Sequence, residues 1–371
     1  MDSLSQIALG AAVGYAVAGR RLGRKALVYG GLAGTLPDLD TLALMPFDGW
    51  SEWRHHRGVS HSLFFAPVVA PALGWLAWKR ENRLRPFEPA GGHDALGAWM
   101  AMFFVAIFTH PLLDFFTIYG TQLLAPFSDT RFAVPGLGII DPGYTLPLLA
   151  GIAVAAARPQ TARARLAVHA ALLASTIYLF YGLAQNRAVE TMARTQLDAE
   201  GVVAADLRVY TTIFQPWLRR IVVDDAEGAR VGFASPFQKG AIAWTCFRHP
   251  SDPAIAAARA TPEGRLLDWF AMGETWPTVT RAADGTAAVR LTDRRYGAAG
   301  ATVQGWWGIE VRLDPAGRPV APPERIDIPR GATGEAIGQI FAASRGKATP
   351  LFPHAADATS AAAACAATRI G

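Results

Sequence analysis

The chain has 371 residues, 51% of them hydrophobic and 18% charged, with a mean hydropathy of +0.19. That is too apolar for an ordinary soluble protein and predicts membrane segments. The formal net charge of +5 comes from basic residues in short clusters between apolar runs, with no aromatic-interleaved basic stripe, so nucleic acid is excluded as a partner.

The opening Met1-Asp2-Ser3-Leu4-Ser5-Gln6 has no basic stretch ahead of its apolar run, so a cleaved signal peptide is not expected. Apolar runs at about 3–19, 26–45, 63–78, 95–119, 144–157 and 166–184 predict an α-helical polytopic membrane domain of five to six spans over residues 1–185. The fourth and sixth are long enough to cross alone. The first, third and fifth are short for a hydrocarbon core about 30 Å thick, and the second carries carboxylates. Arg20, Arg21, Arg24 and Lys25 follow the first run, Lys79, Arg80, Arg83 and Arg85 the third, and Arg158, Arg163 and Arg165 the fifth. The other connections hold Arg54, Arg57 and Arg131. By the positive-inside rule the basic loops are cytoplasmic, which places the N-terminus and everything after the sixth run outside.

With a helical rise of about 1.5 Å per residue, Gln6 and Asp2 lie roughly 21 and 27 Å above the cytoplasmic end of their run. On the same count Asp38 and Asp40 come to roughly 18–21 Å, His61 to roughly 26 Å, and His110 and Asp114 to roughly 22–28 Å. Polar residues of four spans thus converge in the outer half of the membrane, where ionisable groups are costly and mark function.

In the second run Pro37 interrupts the helix, and Gly30, Gly31 and Gly34 allow close helix packing. Asp38 and Asp40 either point inward from an unwound turn or cap a helix at the interface. The next loop, Arg54-His55-His56-Arg57-Gly58-Val59-Ser60-His61-Ser62, offers imidazoles for a metal and a guanidinium for a phosphate or carboxylate. His56 and His61 are the preferred ligands there, and the competing reading is a basic loop touching lipid headgroups. In the fourth run His110 and Asp114 stand four residues apart on one helix face and can hold one divalent ion, or pair with each other to tie helices together. The stretch from Gln122 to Gly143 would lie over these groups, although each of its residues reads more simply as part of a connector.

Beyond about Asn186 the composition changes. A helical stretch, Arg187 to Leu197, leads into β-like runs at Leu207–Phe214, Leu218–Val223, Ala241–Phe247, Ala288–Leu291 and Trp306–Leu313, and Ile255–Met272 reads as a helix interrupted near Pro262. Residues 186–350 are expected to form a soluble extracytoplasmic α+β domain, and the alanine-rich residues 351–371 a flexible tail. Cys246 and Cys365 match no metal-ligand spacing, and whether they pair stays open.

Four ordered motifs carry a resemblance: Met1-Asp2-Ser3-Leu4-Ser5-Gln6, Gly34-Thr35-Leu36-Pro37-Asp38-Leu39-Asp40, His56-Arg57-Gly58-Val59-Ser60-His61-Ser62 and His110-Pro111-Leu112-Leu113-Asp114. Over residues 1–185 the chain resembles the bacterial YdjM-type inner-membrane proteins, which are described as membrane-bound metal-dependent hydrolases. The resemblance implies a bacterial inner-membrane location and metal ligands at Asp38, Asp40, His56, His61, His110 and Asp114. Many members have a histidine where this chain has Gln6, a weaker ligand, so Gln6 and Asp2 are held as additional site positions for water or substrate.

Mixed imidazole and carboxylate donors suit Zn2+, with Mn2+ or Fe2+ as alternatives. Such an ion would activate water, with a non-ligating carboxylate among Asp38, Asp40 and Asp114 as proton acceptor and Arg57 neutralising an anionic substrate. A site at this depth suits an ester or phosphoester of a lipid or lipid-linked substrate. Two other classes compete, a transporter or proton pathway using the same cluster and a metal-stabilised scaffold without activity. No inverted repeat relates the first three runs to the last three, which counts against the transporter.

Overall fold

The computed structural model describes residues 1–84, 94–297, 302–328 and 334–368. Arg85, counted above among the cytoplasmic basic residues, and residues 369–371 of the expected tail lie outside the described residues. The chain divides into two compact units: Met1–Gly182 with Ile213–Gln215, and Leu183–Thr212 with Pro216–Gly371.

The first unit is helical. Helix α1 (Ser3–Leu22) is capped by Asp2, whose carboxylate accepts from the Ser5 amide, and ends at Gly23 with φ 56°. Helix α2 (Arg24–Thr35) returns along α1 so closely that a Cβ at Gly10 would lie 2.4 Å from the Gly30 carbonyl, and one at Gly34 2.6 Å from the Gln6 carbonyl. Only glycine permits that approach, in which van der Waals contact replaces the hydrophobic effect as the packing force. Pro37 stops α2 and turns the chain into a 3-10 turn, Leu36–Leu39, followed by α3 (Asp40–Leu44) and α4 (Ser51–His55). A second 3-10 turn, Val59–His61, precedes α5 (Phe65–Leu84), which packs on α6 (Asp94–Phe115). Lys25 Nζ and the Tyr29 hydroxyl of α2 meet Glu81 of α5 at 2.5 and 2.8 Å, fastening those helices. Helices α7 (Pro142–Ala157) and α8 (Ala162–Ala199) follow, and the division between the units falls within α8.

Among the described residues α6 and α8 are long and apolar enough to cross a membrane, and the segment Ser51–His61 with Phe65–Leu84 makes a third if its 68° break is taken as one bent span. This is two to three candidate spans, fewer than the five to six expected. Helix α2 ends after 12 residues and α7 after 16, short of the roughly 20 that a bilayer needs. In α8 just 28% of the apolar window is buried within the protein, as a lipid-facing helix would show.

The second unit is rich in β-sheet. Strands β1 (Asp206–Thr211), β2 (Arg219–Asp224) and β3 (Gly228–Ala234) are antiparallel neighbours; β4 (Ala241–Ile242) stands apart, and β5 (Thr245–Arg248) joins β3. Helices α9 (Pro253–Arg259) and α10 (Pro262–Phe270) replace the single interrupted helix expected, because Thr261 caps a new start with Pro262 behind it. A second antiparallel sheet runs β6 (Thr275–Arg281), β7 (Ala287–Asp293), β8 (Trp307–Leu313) and β9 (Glu324–Asp327). Helix α11 (Gly334–Ser344) and β10 (His354–Ala355), which pairs with β4, precede α12 (Ala358–Thr368).

The expected flexible tail is instead largely structured. Ala361 and Cys365 of α12 are buried against Val189, Ala193 and Leu197 of α8 and the inner faces of β1, β2 and β5. A disulfide joins Cys365 to Cys246. Small residues on one face of α12 allow close docking, which composition alone had suggested was absence of structure.

Candidate metal centre

Three elements of the first unit deliver one or two polar groups each to one place. The turn after Pro37 presents Asp38, the turn before α5 presents His61, and α6 presents His110 and Asp114 one helical turn apart. Among the described residues, Asp38, His61, His110 and Asp114 form a group in which one ligand atom from each lies within 4.8 Å of all the others. His61 Nε2 is 3.0 Å from His110 Nε2, 3.3 Å from Asp38 Oδ1 and 3.3 Å from Asp114 Oδ2. His110 Nε2 is 3.3 Å from Asp38 Oδ1 and 3.4 Å from Asp114 Oδ2.

The protonation pattern follows from the other ring nitrogens. His110 Nδ1 donates to the Gly34 carbonyl at 2.6 Å, which leaves Nε2 as a bare lone pair in the neutral ring. His61 Nδ1 is 3.0 Å from Ser60 Oγ, whose hydroxyl donates to Asp40 Oδ2 at 2.7 Å, so His61 Nε2 is likewise an acceptor. With both rings neutral, the form that binds a metal, two imidazole lone pairs and two carboxylate oxygens face one another, and the buried Asp114 Oδ2 has no hydrogen-bond partner. Groups this close need a shared proton or a cation among them. A regular tetrahedron with edges of about 3.3 Å has corners about 2.0 Å from its centre, the distance at which nitrogen and oxygen ligands hold zinc. The residues present fit a divalent ion.

Around the four donors lies a second set of groups. Asp40 accepts from His56 Nδ1 at 2.8 Å and from Ser60, and its Oδ2 is 3.4 Å from His61 Nδ1. Asp40 and His56, expected among the ligands, thus stand one layer out and orient His61, a carboxylate–histidine–metal arrangement. Arg57, expected to face an anionic substrate, is buried: Nη2 lies 3.2 Å from Asp114 Oδ1, Nη1 donates to Thr117 Oγ1 at 3.0 Å, and the guanidinium sits 4.5 Å above the Tyr119 ring. Its backbone takes φ 60°, which turns the side chain inward. Gln6 donates to Asp114 Oδ1 at 3.1 Å and to the His110 carbonyl at 3.3 Å, which steadies Asp114, and its buried Oε1 has no hydrogen-bond partner. The Met1 amine also contacts Asp114, whereas Asp2 caps α1 and lies outside the group.

Sequence reasoning passed over Ser60, Thr117, Tyr119 and the Gly34 carbonyl. Ser60 and Thr117 stand beside predicted ligands, and Thr117 follows Asp114 by one turn, a signal that could have found it. The Gln122–Gly143 stretch does reach the centre's outer layer, since the Gln122 amide and side chain donate to the Arg57 and Arg54 carbonyls at 2.9 and 3.0 Å.

A helical unit with apolar, lipid-length helices and a buried His/Asp cluster able to bind a metal defines a membrane protein with a candidate metal centre. The family model described as YdjM inner membrane protein matches residues 1–189, half of the chain, and the chain belongs to that family. An uncharacterized Bacillus subtilis (strain 168) protein, YfhP, is 32% identical over 127 residues, 33% of this chain and 35% of that protein, so the alignment spans about a third of its relative. No solved structure is significantly similar.

Proposed function

We propose that the chain is a multi-pass bacterial inner-membrane hydrolase, dependent on a divalent metal, most suitably Zn2+, and acting on an ester or phosphoester of a lipid or lipid-linked substrate. The observation that carries this reading is the group Asp38, His61, His110 and Asp114, whose ligand atoms all lie within 4.8 Å of one another and three of whose side chains are fully buried while Asp38 remains 20% exposed. Water and substrate reach the centre from the Asp38 side. His61, His110 and Asp114 hold the ion, and Asp38 takes the proton from the attacking water. Bound there, the ion lowers the pKa of water and polarises the scissile group. Asp40 and His56 keep His61 in its ligating tautomer, and Arg57 offsets the charge of Asp114.

In this reading the shorter helices α1, α2 and α7 are embedded with the longer ones, giving five to six spans. The basic clusters face the cytoplasm and the C-terminal unit lies outside. A disulfide in that unit supports an oxidising compartment such as the periplasm.

One observation favours a second reading. Four protein donors around one ion also describe a closed structural site. Asp38→Ala separates the two. In the hydrolase the variant keeps its fold and most of its metal but loses turnover of vesicle-embedded phosphoester lipid; in the scaffold it loses metal and thermal stability together.

A further inference from the structure

One feature of the first unit has no part in holding the metal. Phe64, in the turn just before α5, continues an exposed apolar strip of that helix, Val68, Ala72 and Trp75, the whole about 17 Å long at about 1.5 Å per residue. At its far end Lys79 lays its ammonium over the Trp75 ring at 4.6 Å, the posture of a basic residue reaching from lipid toward headgroups. At its near end the strip does not stop where α5 begins. The Phe64 ring packs against that of Phe127 at 5.1 Å, and the Leu63 amide donates to the Leu123 carbonyl at 3.0 Å, so the 122–127 segment is fastened to the strip. Phe127 is 80% exposed, Val68 74% and Phe64 44%. Phe64 stands three residues after the ligand His61, at the break where the bent segment turns by 68°.

Large apolar side chains exposed this fully, without polar residues interrupting them, are not a water-facing surface. In an inner-membrane protein a strip that begins at a basic and aromatic anchor and runs along a helix is covered by lipid, and here it ends at Phe64, three residues from His61 of the metal centre. Arg54, in α4 ahead of the 3-10 turn that carries His61, is exposed and offers positive charge.

We propose that the rim formed by Phe64 and Phe127 is covered by lipid acyl chains, so that the metal centre opens sideways into the bilayer and admits molecules that carry an acyl chain, with an anionic headgroup near Arg54. The acyl-chain contact stands on the strip alone. The substrate class rests on the proposed hydrolase.

The two native cysteines are joined, so an introduced cysteine is the single free thiol of the chain. The test places a nitroxide at Phe64→Cys, Val68→Cys and Phe127→Cys in turn, in the full-length protein reconstituted into phosphatidylethanolamine–phosphatidylglycerol vesicles, with Ala316→Cys of the second unit as an aqueous reference. Metal content is measured on each labelled protein to establish that it is folded. Collisional relaxation by oxygen should exceed that by a water-soluble nickel chelate at 64, 68 and 127, with the order reversed at 316. Preferential relaxation by nickel at 64 and 127 overturns the proposal, because the rim would face water. Exclusion of both reagents there also overturns it, because a second copy or a partner protein would cover the rim. The measurement needs no turnover. An oxygen-accessible rim in a protein inactive on every lipid would sink the hydrolase and leave the lipid-covered rim standing.

Discussion

Asp40 separates the observed geometry from the ligand set that the motifs imply. Asp40→Asn keeps the volume and leaves all four inner donors, Asp38, His61, His110 and Asp114, in place. It removes the charge that receives His56 Nδ1 at 2.8 Å and Ser60 Oγ at 2.7 Å and that polarises His61 through Nδ1 at 3.4 Å. Loss of such an outer partner weakens metal binding about 10- to 100-fold, or about 1.4–2.7 kcal/mol. Competition against a chromogenic zinc chelator, on detergent-purified protein stripped and reloaded with metal, reads that range directly. At saturating zinc the variant should still bind the wild-type number of equivalents. If Asp40→Asn lowers the stoichiometry as far as His110→Ala does, Asp40 is a ligand and the two-layer description is wrong.

Gly34→Ala would push a methyl to 2.6 Å from the Gln6 carbonyl and 2.8 Å from Gly10 Cα, and should cost about 1–3 kcal/mol in detergent unfolding and weaken metal binding by shifting the carbonyl that holds His110. Gly97→Ala, with nothing within 4 Å of the new methyl, should be neutral or slightly stabilising, and equal losses at both positions would refute the packing argument. Replacing Cys246 and Cys365 by serine opens a link across 119 residues and should lower the stability of the second unit by about 2–5 kcal/mol, read as a fall in its thermal midpoint that reductant reproduces in the wild type. Burial, reinforced by the nearby Glu274 charge, holds the Tyr210 phenol well above its ordinary value. A raised folded value gives stability that is present below the unfolded value of about 10 and lost as the pH climbs above it. Alkaline unfolding followed by tryptophan fluorescence should therefore be steeper in the wild type than in Tyr210→Phe, and parallel curves would contradict this.

How much of this was legible in the chain differs between its halves. His110 and Asp114 were readable because a fixed helical period converts a four-residue spacing into a shared face, and His61 because three imidazoles stand together in a short loop. The layers were not readable. Whether Asp38 or Asp40 points inward depends on the turn that Pro37 forces after α2, and whether Arg57 meets a substrate or Asp114 depends on one positive φ angle. Apolar runs alone did not tell which helices reach the length of a span, since Pro37 divides the second run and α7 is short. In the second unit β3 and β6 escaped notice because their glycine, arginine, threonine and proline break the apolar alternation by which strands are recognised. The tail was misjudged for the opposite reason, as alanine is both the best helix former and a residue of unremarkable hydrophobicity.

The claim on which the rest depends is that His61, His110 and Asp114 hold a divalent ion beside Asp38. Metal content by mass spectrometry, on detergent-purified wild type beside His61→Ala and His110→Ala with folding followed by circular dichroism, tests it most directly. The geometry predicts about one equivalent in the wild type, lost in both variants. A folded wild type that binds no divalent metal, even after reloading, would contradict it.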